Sequence, residues 1–340
     1  MMKRLVLTVG LWFLTACAAG PGFEAGHAAH ERGDFKTAHE ILRPLAEAGH
    51  PQAQHWLGLA YSAGLGVEPD EAEAATWYRL AAEQGLEGAA SSLARFYRDG
   101  KGVPKDIGKA IYWYERAAEW GDPWALVHIG DIYTWGDGIP PDYDKAFAYY
   151  SRATERGKGY GNYELSEMYA AGRGRPADME KAVAHLQIAD DQGDMRALYE
   201  LGALRFEGRD IPRNPVLGRE YWRKAASKGH WHAMQGLGRM YLDGIGVEKD
   251  PVEAIRWFKA AVVNGAGYAA YDIGHLYSQG QLGKERMEIM ALGWYLVGEF
   301  FKDPNAKQAR TDQAAGMSPP ARAEAEQWAK AFIQEHLARK

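Results

Sequence analysis

Hydrophobic residues recur at helical spacing in two neighbouring stretches, residues 51–63 and 71–84, with polar residues between them. In the first stretch the apolar positions follow the i, i+4, i+7, i+8 pattern of one helix face: Ala53, Leu57, Ala60 and Tyr61. In the second they also form one side of a helix: Ala74, Trp77, Tyr78, Ala81 and Ala82. The pattern predicts two helices of similar length joined by a short turn, which is an antiparallel helix hairpin.

The same unit returns every 36 residues along most of the chain. Its regular marker is a tyrosine near the end of the first helix: Tyr61, Tyr97, Tyr133, Tyr169, Tyr241 and Tyr277. A fixed period without drift is typical of a repeat array, in which each unit packs only against its neighbours. The predicted fold is therefore all-α, an α-solenoid of antiparallel helix hairpins with a 36-residue repeat.

Glycine and aspartate mark the turn inside each unit. Gly64 and its copies suit the left-handed residue that ends a helix. The next helix then begins after a side chain that can cap its free amides: Asp70, Asp106, Asp142, Asp178, Asn214 and Asp250. Glu73 and Glu253 follow their caps at the spacing of a capping box. Gly58 recurs inside the first helix, where glycine is unfavourable, so it predicts a close approach of the two helices.

The pattern L-G-x-x-Y-x-x-G-x-G-V…D…A-x-x-W-Y-x-x-A-A-x-x-G resembles the Sel1-like repeat, a relative of the tetratricopeptide repeat. The resemblance covers residues 50–301 in seven units and implies a right-handed superhelix. It also implies that the first helix of each pair lines the concave surface. Residues 27–49 are interpreted as a degenerate half-repeat that caps the N-terminus, and residues 302–340 as C-terminal capping helices.

The first residues have the features of an export signal. Residues 1–16 contain Lys3 and Arg4, followed by a ten-residue apolar run that is too short to cross a bilayer as a helix. The segment Leu-Thr-Ala-Cys that ends at Cys17 resembles a bacterial lipobox, in which the cysteine carries the lipid.

A lipidated Cys17 predicts a membrane anchor, with residues 17–26 as a flexible tether. The alternative is an ordinary signal peptide cut after Ala16 or Ala19. By resemblance to bacterial lipoproteins, Ala18 after the cysteine indicates the outer membrane. We expect the protein to face the periplasm.

Composition excludes several classes of function. The net charge is −5 without a block of like charges, which disfavours a nucleic-acid partner. Cys17 is the one cysteine, so no disulfide can form within the chain. The sequence has no phosphate loop, zinc-protease motif or serine-nucleophile motif, and no cofactor is predicted. His27 and His30 beside Glu31 have a spacing that could suit metal ligands. They lie in the degenerate N-terminal part of the repeat array, however, so no metal site is predicted.

The candidate binding residues are those that the repeat does not require. They are aromatic and charged positions of the first helices: Trp124, His128, Asp131, Trp135, Tyr160, Tyr163, Glu164, Glu167, Arg196, Tyr199 and Arg239. One interpretation is a solvated face whose aromatics cover neighbouring backbone. The other is a binding groove, because Tyr, Trp and Arg are the residue types that anchor interfaces.

The predicted function is a non-enzymatic, lipid-anchored adapter that binds a protein partner in its concave groove, since the Sel1-like family is known broadly for assembly roles. The alternative is a glycan-binding scaffold, because aromatic faces stack on sugar rings and similar lipoproteins resemble scaffolds of exopolysaccharide export. A cysteine-rich branch of the family has been linked to β-lactam hydrolysis. That branch carries paired cysteines in each repeat, which this chain lacks, so a hydrolase is disfavoured.

Overall fold

The computed structural model describes residues 21–156, 159–208, 210–280 and 287–337, which form eighteen α-helices and no strand. In chain order, the helices are α1 (Pro21–Glu31), α2 (Phe35–Glu47), α3 (Pro51–Ala63), α4 (Glu71–Glu83), α5 (Glu87–Asp99), α6 (Ile107–Trp120), α7 (Ala125–Trp135), α8 (Tyr143–Thr154), α9 (Gly159–Ala171), α10 (Met179–Asp191), α11 (Met195–Glu207), α12 (Pro215–Ser227), α13 (Trp231–Asp243), α14 (Pro251–Val263), α15 (Ala269–Ser278), α16 (Met287–Phe300), α17 (Pro304–Ala315) and α18 (Pro319–His336). The predicted signal peptide and Cys17 lie outside the described residues.

Consecutive helices pair as hairpins in each of two compact units, residues 1–156 and residues 157–340. Unit 1 contains the hairpins α1–α2, α3–α4, α5–α6 and α7–α8. Unit 2 contains α9–α10, α11–α12, α13–α14 and α15–α16, and α17 and α18 both pack against α16. Within each unit the second helix of one hairpin also packs against the first helix of the next. The predicted all-α solenoid is confirmed as this stacking of hairpins. None of the helices in the described part is both long and apolar enough to span a bilayer.

Five of the hairpins in the described residues, α3–α4, α7–α8, α11–α12, α13–α14 and α15–α16, close around a glycine that faces an aromatic ring. A Cβ on Gly58 would lie 2.5 Å from the ring of Tyr78, and a Cβ on Gly238 would lie 2.5 Å from the ring of Phe258. Tyr78 and Phe258 are each 1% exposed, so neither ring has room to move away. The recurring glycine therefore lowers helix propensity but allows a buried aromatic side chain to pack closely against the helix, as the sequence predicts.

The capping pattern is confirmed at every predicted position. The side chains of the six predicted caps accept hydrogen bonds from amides in the first turn of helices α4, α6, α8, α10, α12 and α14. The two predicted capping boxes are arranged differently from the prediction. The carboxylates of Glu73 and Glu253 accept hydrogen bonds from side chains about one turn later in the same helix. Glu73 accepts from Nε1 of Trp77 at 3.0 Å, and Glu253 accepts from Arg256 at 3.0 Å.

The prediction that residues 17–26 form a flexible tether is wrong for residues 21–26, which belong to helix α1, and residues 17–20 lie outside the described residues. Gly22 and Gly26 suggest flexibility in the sequence, yet a Cβ on Gly22 would lie 3.5 Å from Leu45. A Cβ on Gly26 would overlap the side chain of Leu42, which is fully buried. The two glycines thus allow α1 to approach α2 closely, and the predicted half-repeat is the second helix of a complete hairpin.

Candidate functional site

The predicted binding residues fall into the two compact units, and each group has its own surroundings. Trp124, His128, Asp131 and Trp135 belong to unit 1, on or beside α7. The remaining seven belong to unit 2, on α9, α11 and α13.

In unit 1, the two tryptophans lie at the two ends of α7. Trp124 is the N-cap residue, and its backbone amide donates to Asp122 at 2.8 Å. Trp135 is the last residue of the helix and is 67% exposed, the largest exposure among the exposed large apolar side chains. His128 lies between them, with its ring 5.2 Å from the ring of Tyr114. The exposure of Trp135 agrees with the repeat pattern, which does not require a tryptophan there.

Asp131 has a structural contact that the sequence did not reveal. Its carboxylate accepts a hydrogen bond of 2.8 Å from the hydroxyl of Tyr150, a ring that is 1% exposed. The same hydroxyl lies 3.1 Å from Oγ1 of Thr134. Asp131 therefore satisfies a buried polar group inside the α7–α8 hairpin, which is a reason for a carboxylate at this position that is independent of any partner.

In unit 2, Arg196 is held between two tyrosine rings and two carboxylates. Its guanidinium carbon lies 3.8 Å from the ring centre of Tyr163 and 4.6 Å from that of Tyr160. The same group donates to Asp194 at 2.7 and 3.1 Å and to Glu164 at 3.2 Å. Asp194 is 4% exposed and caps α11. Three of the predicted residues thus meet around the guanidinium of a fourth, in the charge-assisted geometry that favours arginine.

Further carboxylates influence the acid–base properties of this cluster. Burial raises the pKa of the Tyr163 hydroxyl, and the negative charges of Glu200 and Glu167 raise it further. Burial also raises the pKa of Glu200 to about 7, with additional contributions from Glu167 and Glu207. A half-buried carboxyl with like charges beside it holds its proton near neutral pH, because the ionised form loses hydration and is repelled by its neighbours.

Aromatic rings continue the surface along the next hairpin. The ring of Tyr199 stacks on His230 with centres 4.9 Å apart, and His232 stacks on Trp231 at 3.3 Å. Trp231 contacts Tyr268 edge to face at 5.4 Å. Burial lowers the pKa of both histidines, so the stack favours neutral imidazoles.

Arg239 lies at the end of this surface, next to Asp272. Burial raises the pKa of Asp272, while the amide of Gln235, which donates at 3.3 Å, and the charge of Arg239 oppose that shift. The positive charge of Arg239 also lowers the pKa of the Tyr199 and Tyr268 hydroxyls, against the upward effect of burial. The structure therefore brings all seven predicted unit 2 residues onto neighbouring first helices.

Sequence reasoning missed two contributors to this surface, Asp194 and Trp231. Asp194 precedes Arg196 by two residues at a helix start, a spacing that lets one carboxylate cap the helix and hold the arginine. Trp231 stands where earlier units carry Met195, Gly159 and Pro123, so its register was a usable signal.

Two cavities in the described residues lie away from this surface. One of about 430 Å³ is lined by residues of α15 to α18, among them Tyr277, Met287 and Ile289. Another of about 560 Å³ lies between α6 and α8 in unit 1. Among the residues that the structure describes, no group of three His, Cys, Asp or Glu side chains could hold a metal ion. The geometry of the unit 2 face suits surface recognition of a partner better than enclosure of a small molecule.

Comparison with known protein families finds the Sel1 repeat seven times. The matched segments are residues 51–86, 88–122, 125–158, 159–194, 196–230, 231–262 and 267–298. Together they cover well over half of the chain and coincide with the hairpins α3–α4 to α15–α16.

Among solved structures, a Sel1 repeat protein from Oxalobacter formigenes is 32% identical, with a TM-score of 0.60 over 71% of this chain and 98% of that one. A protective antigen from uropathogenic Escherichia coli is 24% identical, with a TM-score of 0.36 over 94% of this chain and 84% of that one. An uncharacterized protein of Neisseria meningitidis serogroup B is 46% identical over 52 residues, which is 15% of this chain. The chain thus matches 11% of the length of that relative.

Proposed function

Because the chain belongs to the Sel1 repeat family, whose members are typically non-enzymatic protein-interaction scaffolds, we propose that it is an adapter that binds a protein partner through unit 2. The binding face consists of the first helices α9, α11, α13 and α15. The observation that carries the proposal is the continuous set of Tyr, Trp, His and Arg side chains on this face, built around Arg196 and Trp231.

These residue types suit an interface for physical reasons. Tyrosine and tryptophan contribute large contact areas with few rotatable bonds and carry a polar group that can bond to a partner. Arg196 is already ordered by Asp194 and Glu164, so a partner would not have to restrict its side chain again. Tyr268 is 39% exposed at the edge of the set and offers a point of first contact.

The proposal includes anchoring of the protein at the outer membrane through lipid on Cys17, facing the periplasm. It is supported by the charged start, the short apolar run and the Leu-Thr-Ala-Cys sequence. We expect Cys17→Ala to move the protein from the membrane fraction to the soluble fraction and to abolish incorporation of labelled palmitate. Palmitate incorporation that persists in Cys17→Ala would refute the anchor.

Cross-linking in cells tests the binding face. A photo-reactive amino acid at position 268 should yield an adduct with one protein partner. The matched control is position 216 on α12, a second helix, where Val216 is 48% exposed. Equal adducts from both positions, or none from position 268, would contradict the proposed face.

A polysaccharide partner is the alternative that this experiment separates. Adducts of carbohydrate rather than protein at position 268 would favour a glycan scaffold. In that case titration of the purified polymer should change the fluorescence of Trp231, whose ring lies edge to face against that of Tyr268 on the binding face.

A further inference from the structure

Four arginine side chains lie along the edge of unit 2 at which the hairpins turn. We call them the basic edge: Arg205, Arg213, Arg219 and Arg223. Nε of Arg213 donates to the carbonyl of Phe206 at 2.9 Å. Nη1 of Arg205 lies 3.5 Å from the carbonyl oxygen of Pro212. Both contacts cross the turn between α11 and α12, so these two side chains lie close together at that turn.

The other two arginines reach from α12 to the next hairpin. Nη1 of Arg219 donates to the carbonyl of Gly246 at 3.3 Å, and Nη2 of Arg223 donates to the hydroxyl of Tyr241 at 2.7 Å. Gly246 belongs to the α13–α14 turn, and a Cβ on it would lie 2.8 Å from Cβ of Pro215 at the start of α12. The basic edge therefore extends over two successive turns of unit 2.

No carboxylate neutralises the basic edge among the residues that the structure describes. The hydrogen-bond acceptors of the four arginines are three backbone carbonyls and one tyrosine hydroxyl. Asp250 and Glu253 at the start of α14 accept hydrogen bonds from first-turn amides and from Arg256 instead. Residues 205–228 carry seven basic and three acidic side chains, in a chain whose net charge is −5. The edge therefore carries uncompensated positive charge, which attracts anions.

Two of these arginines depart from the repeat. Arg205 replaces the recurring tyrosine, which is Tyr169 in the preceding hairpin and Tyr241 in the following one. Arg219 stands at a position that is apolar in five other hairpins: Ala75, Ile111, Phe147, Val183 and Ile255. Nε of Arg219 is buried and has no hydrogen-bond partner among the described residues, which lowers stability. Packing within the hairpin therefore does not explain either arginine.

Exposed aliphatic side chains accompany these charges. Val216 on α12 is 48% exposed and Val252 on α14 is 63% exposed, at the same position of the repeat. Val216 follows Pro215, which lies against the turn that Arg219 reaches. Aliphatic groups can enter the headgroup layer of a bilayer, and guanidinium groups bind phosphate in a planar fork. A membrane surface therefore uses both features of this edge at once.

We propose that the basic edge is a membrane-contact surface that binds the phosphate groups of anionic phospholipids, with Val216 and Val252 in the headgroup layer. This contact is separate from the lipid proposed on Cys17. It is also separate from the partner-binding face on the first helices. Tyr268, which precedes α15, lies at the opposite edge of the hairpins from the turns, so the proposed contact leaves it in water.

Sedimentation with vesicles tests the proposal. The mature chain from residue 17 carries Cys17→Ala, which removes the site of the proposed anchor. It is mixed with vesicles of phosphatidylcholine, with or without phosphatidylglycerol. We expect at least about tenfold tighter binding to the anionic vesicles at low ionic strength, and weaker binding as salt is added. Equal binding to both kinds of vesicle, or binding to neither, would overturn the proposal.

Variants that restore the residues of the repeat locate the contact. Arg205→Tyr and Arg219→Val should each weaken binding to the anionic vesicles about fivefold while leaving the circular dichroism spectrum unchanged. The control is Arg43→Gln on α2 in unit 1, where Arg43 pairs with Glu47 at 2.9 Å. It removes one positive charge and should leave binding unchanged. Equal losses in all three variants would indicate attraction by net charge and would overturn the basic edge.

A fluorescent probe tests whether the edge enters the headgroup layer. Without Cys17 the chain has no cysteine, so Val252→Cys introduces a single site for a dye whose emission shifts in an apolar environment. We expect a blue shift at position 252 with the anionic vesicles and none in Tyr268→Cys labelled in the same way. Equal shifts at the two positions would contradict the proposed contact.

Other anions are outcomes of the same experiments. Saturable binding of inorganic phosphate at constant ionic strength, lost in Arg219→Val, would replace the membrane with a free anion. A protein adduct at position 216 in the cross-linking experiment would replace it with an acidic protein. Either result would overturn the membrane contact. Failure of vesicle binding leaves the adapter function intact, because the cross-link at position 268 tests that function separately.

Discussion

Asp131 in unit 1 and Glu167 in unit 2 occupy the same position of the repeat, 36 residues apart, but serve different purposes. Asp131 accepts a hydrogen bond from the buried hydroxyl of Tyr150, on the second helix of its own hairpin. The residue that corresponds to Tyr150 in the hairpin of Glu167 is Leu186, which is 2% exposed and has no hydroxyl. The negative charge of Glu167 instead raises the pKa of Tyr163 and that of Glu200, at the surface of unit 2.

The side chain on the second helix therefore determines the role of the carboxylate on the first helix. A tyrosine in the hairpin core needs a buried acceptor, because an unpaired hydroxyl there is costly. A leucine has no hydroxyl that needs a hydrogen-bond acceptor, so the carboxylate on the first helix remains available for contacts outside the hairpin. Charged residues on the first helices of unit 2 are therefore better candidates for recognition than Asp131.

Alanine substitutions of the hairpin glycines should have the largest effect on the free energy of unfolding, and they show whether the helices of the two units pack in the same way. Gly58→Ala in unit 1 and Gly238→Ala in unit 2 each push a methyl group into a buried ring, Tyr78 or Phe258. We expect each variant to lower the free energy of unfolding by about 3 kcal/mol in guanidinium chloride titrations followed by circular dichroism. Gly316→Ala is the control, because its Cβ would meet nothing within 4 Å and its φ of −87° suits alanine. A neutral effect in one unit alone would show that the hairpins are not packed equivalently.

Glu200 in unit 2 makes the stability of the protein depend on pH. Burial raises its pKa to about 7 in the folded protein, against 4.5 as the ordinary value. As pH rises from 4.5 to 7, the unfolded chain loses this proton first and binds fewer protons than the folded chain, so the carboxyl lowers stability with increasing pH.

Glu200→Gln removes this penalty. We expect it to raise the free energy of unfolding at pH 8 by on the order of 2 kcal/mol and to leave it nearly unchanged at pH 4. Thermal unfolding at both pH values measures the difference. Glu220→Gln on α12, where the side chain is exposed, is the control for loss of one charge. An equal change in both variants would assign the effect to net charge rather than to burial of Glu200.

A smaller effect separates the two carboxylates of the comparison. Asp131→Asn weakens the acceptor of the Tyr150 hydroxyl and should lower the free energy of unfolding by about 1 kcal/mol. Glu167→Gln should leave it within about 0.5 kcal/mol or raise it slightly, because it relieves repulsion with Glu200. Denaturant titrations at pH 7 compare the two, and a larger loss in Glu167→Gln would contradict the contrast between the units.

Much of the fold follows from local chemistry that recurs in the sequence. The roles of Gly58 and Asp70 are predictable because a close approach and an N-cap each require a particular residue type, and the repeat shows that requirement several times. The predicted flexibility is wrong at Gly22 and Gly26, because a glycine that allows flexibility and one that allows close packing look the same in a sequence without their neighbours in space.

The candidate site was predictable in part for the same reason. Subtracting the 36-residue template singled out Arg196 and Tyr163, which prove to be neighbours in space. It did not distinguish the structural role of Asp131, which depends on the hydroxyl of Tyr150 in another helix. The predicted binding role of the unit 2 residues remains to be tested by the variants and cross-links above.

The sequence alone specified the helices, their N-caps, their turns and the order of the hairpins α3–α4 to α15–α16, because each depends on residues within one 36-residue period. The tertiary structure decided which charges are satisfied inside the hairpins and which remain at the surface, because these outcomes depend on the helix packed opposite. It turned Glu200 into a half-buried acid with a pKa of about 7 and Arg196 into a fixed cation. Burial and neighbouring like charges raise the pKa of Glu200, and aromatic rings together with Asp194 hold Arg196 in place. Neither environment can be inferred from one helix alone, because each is formed by residues of more than one helix.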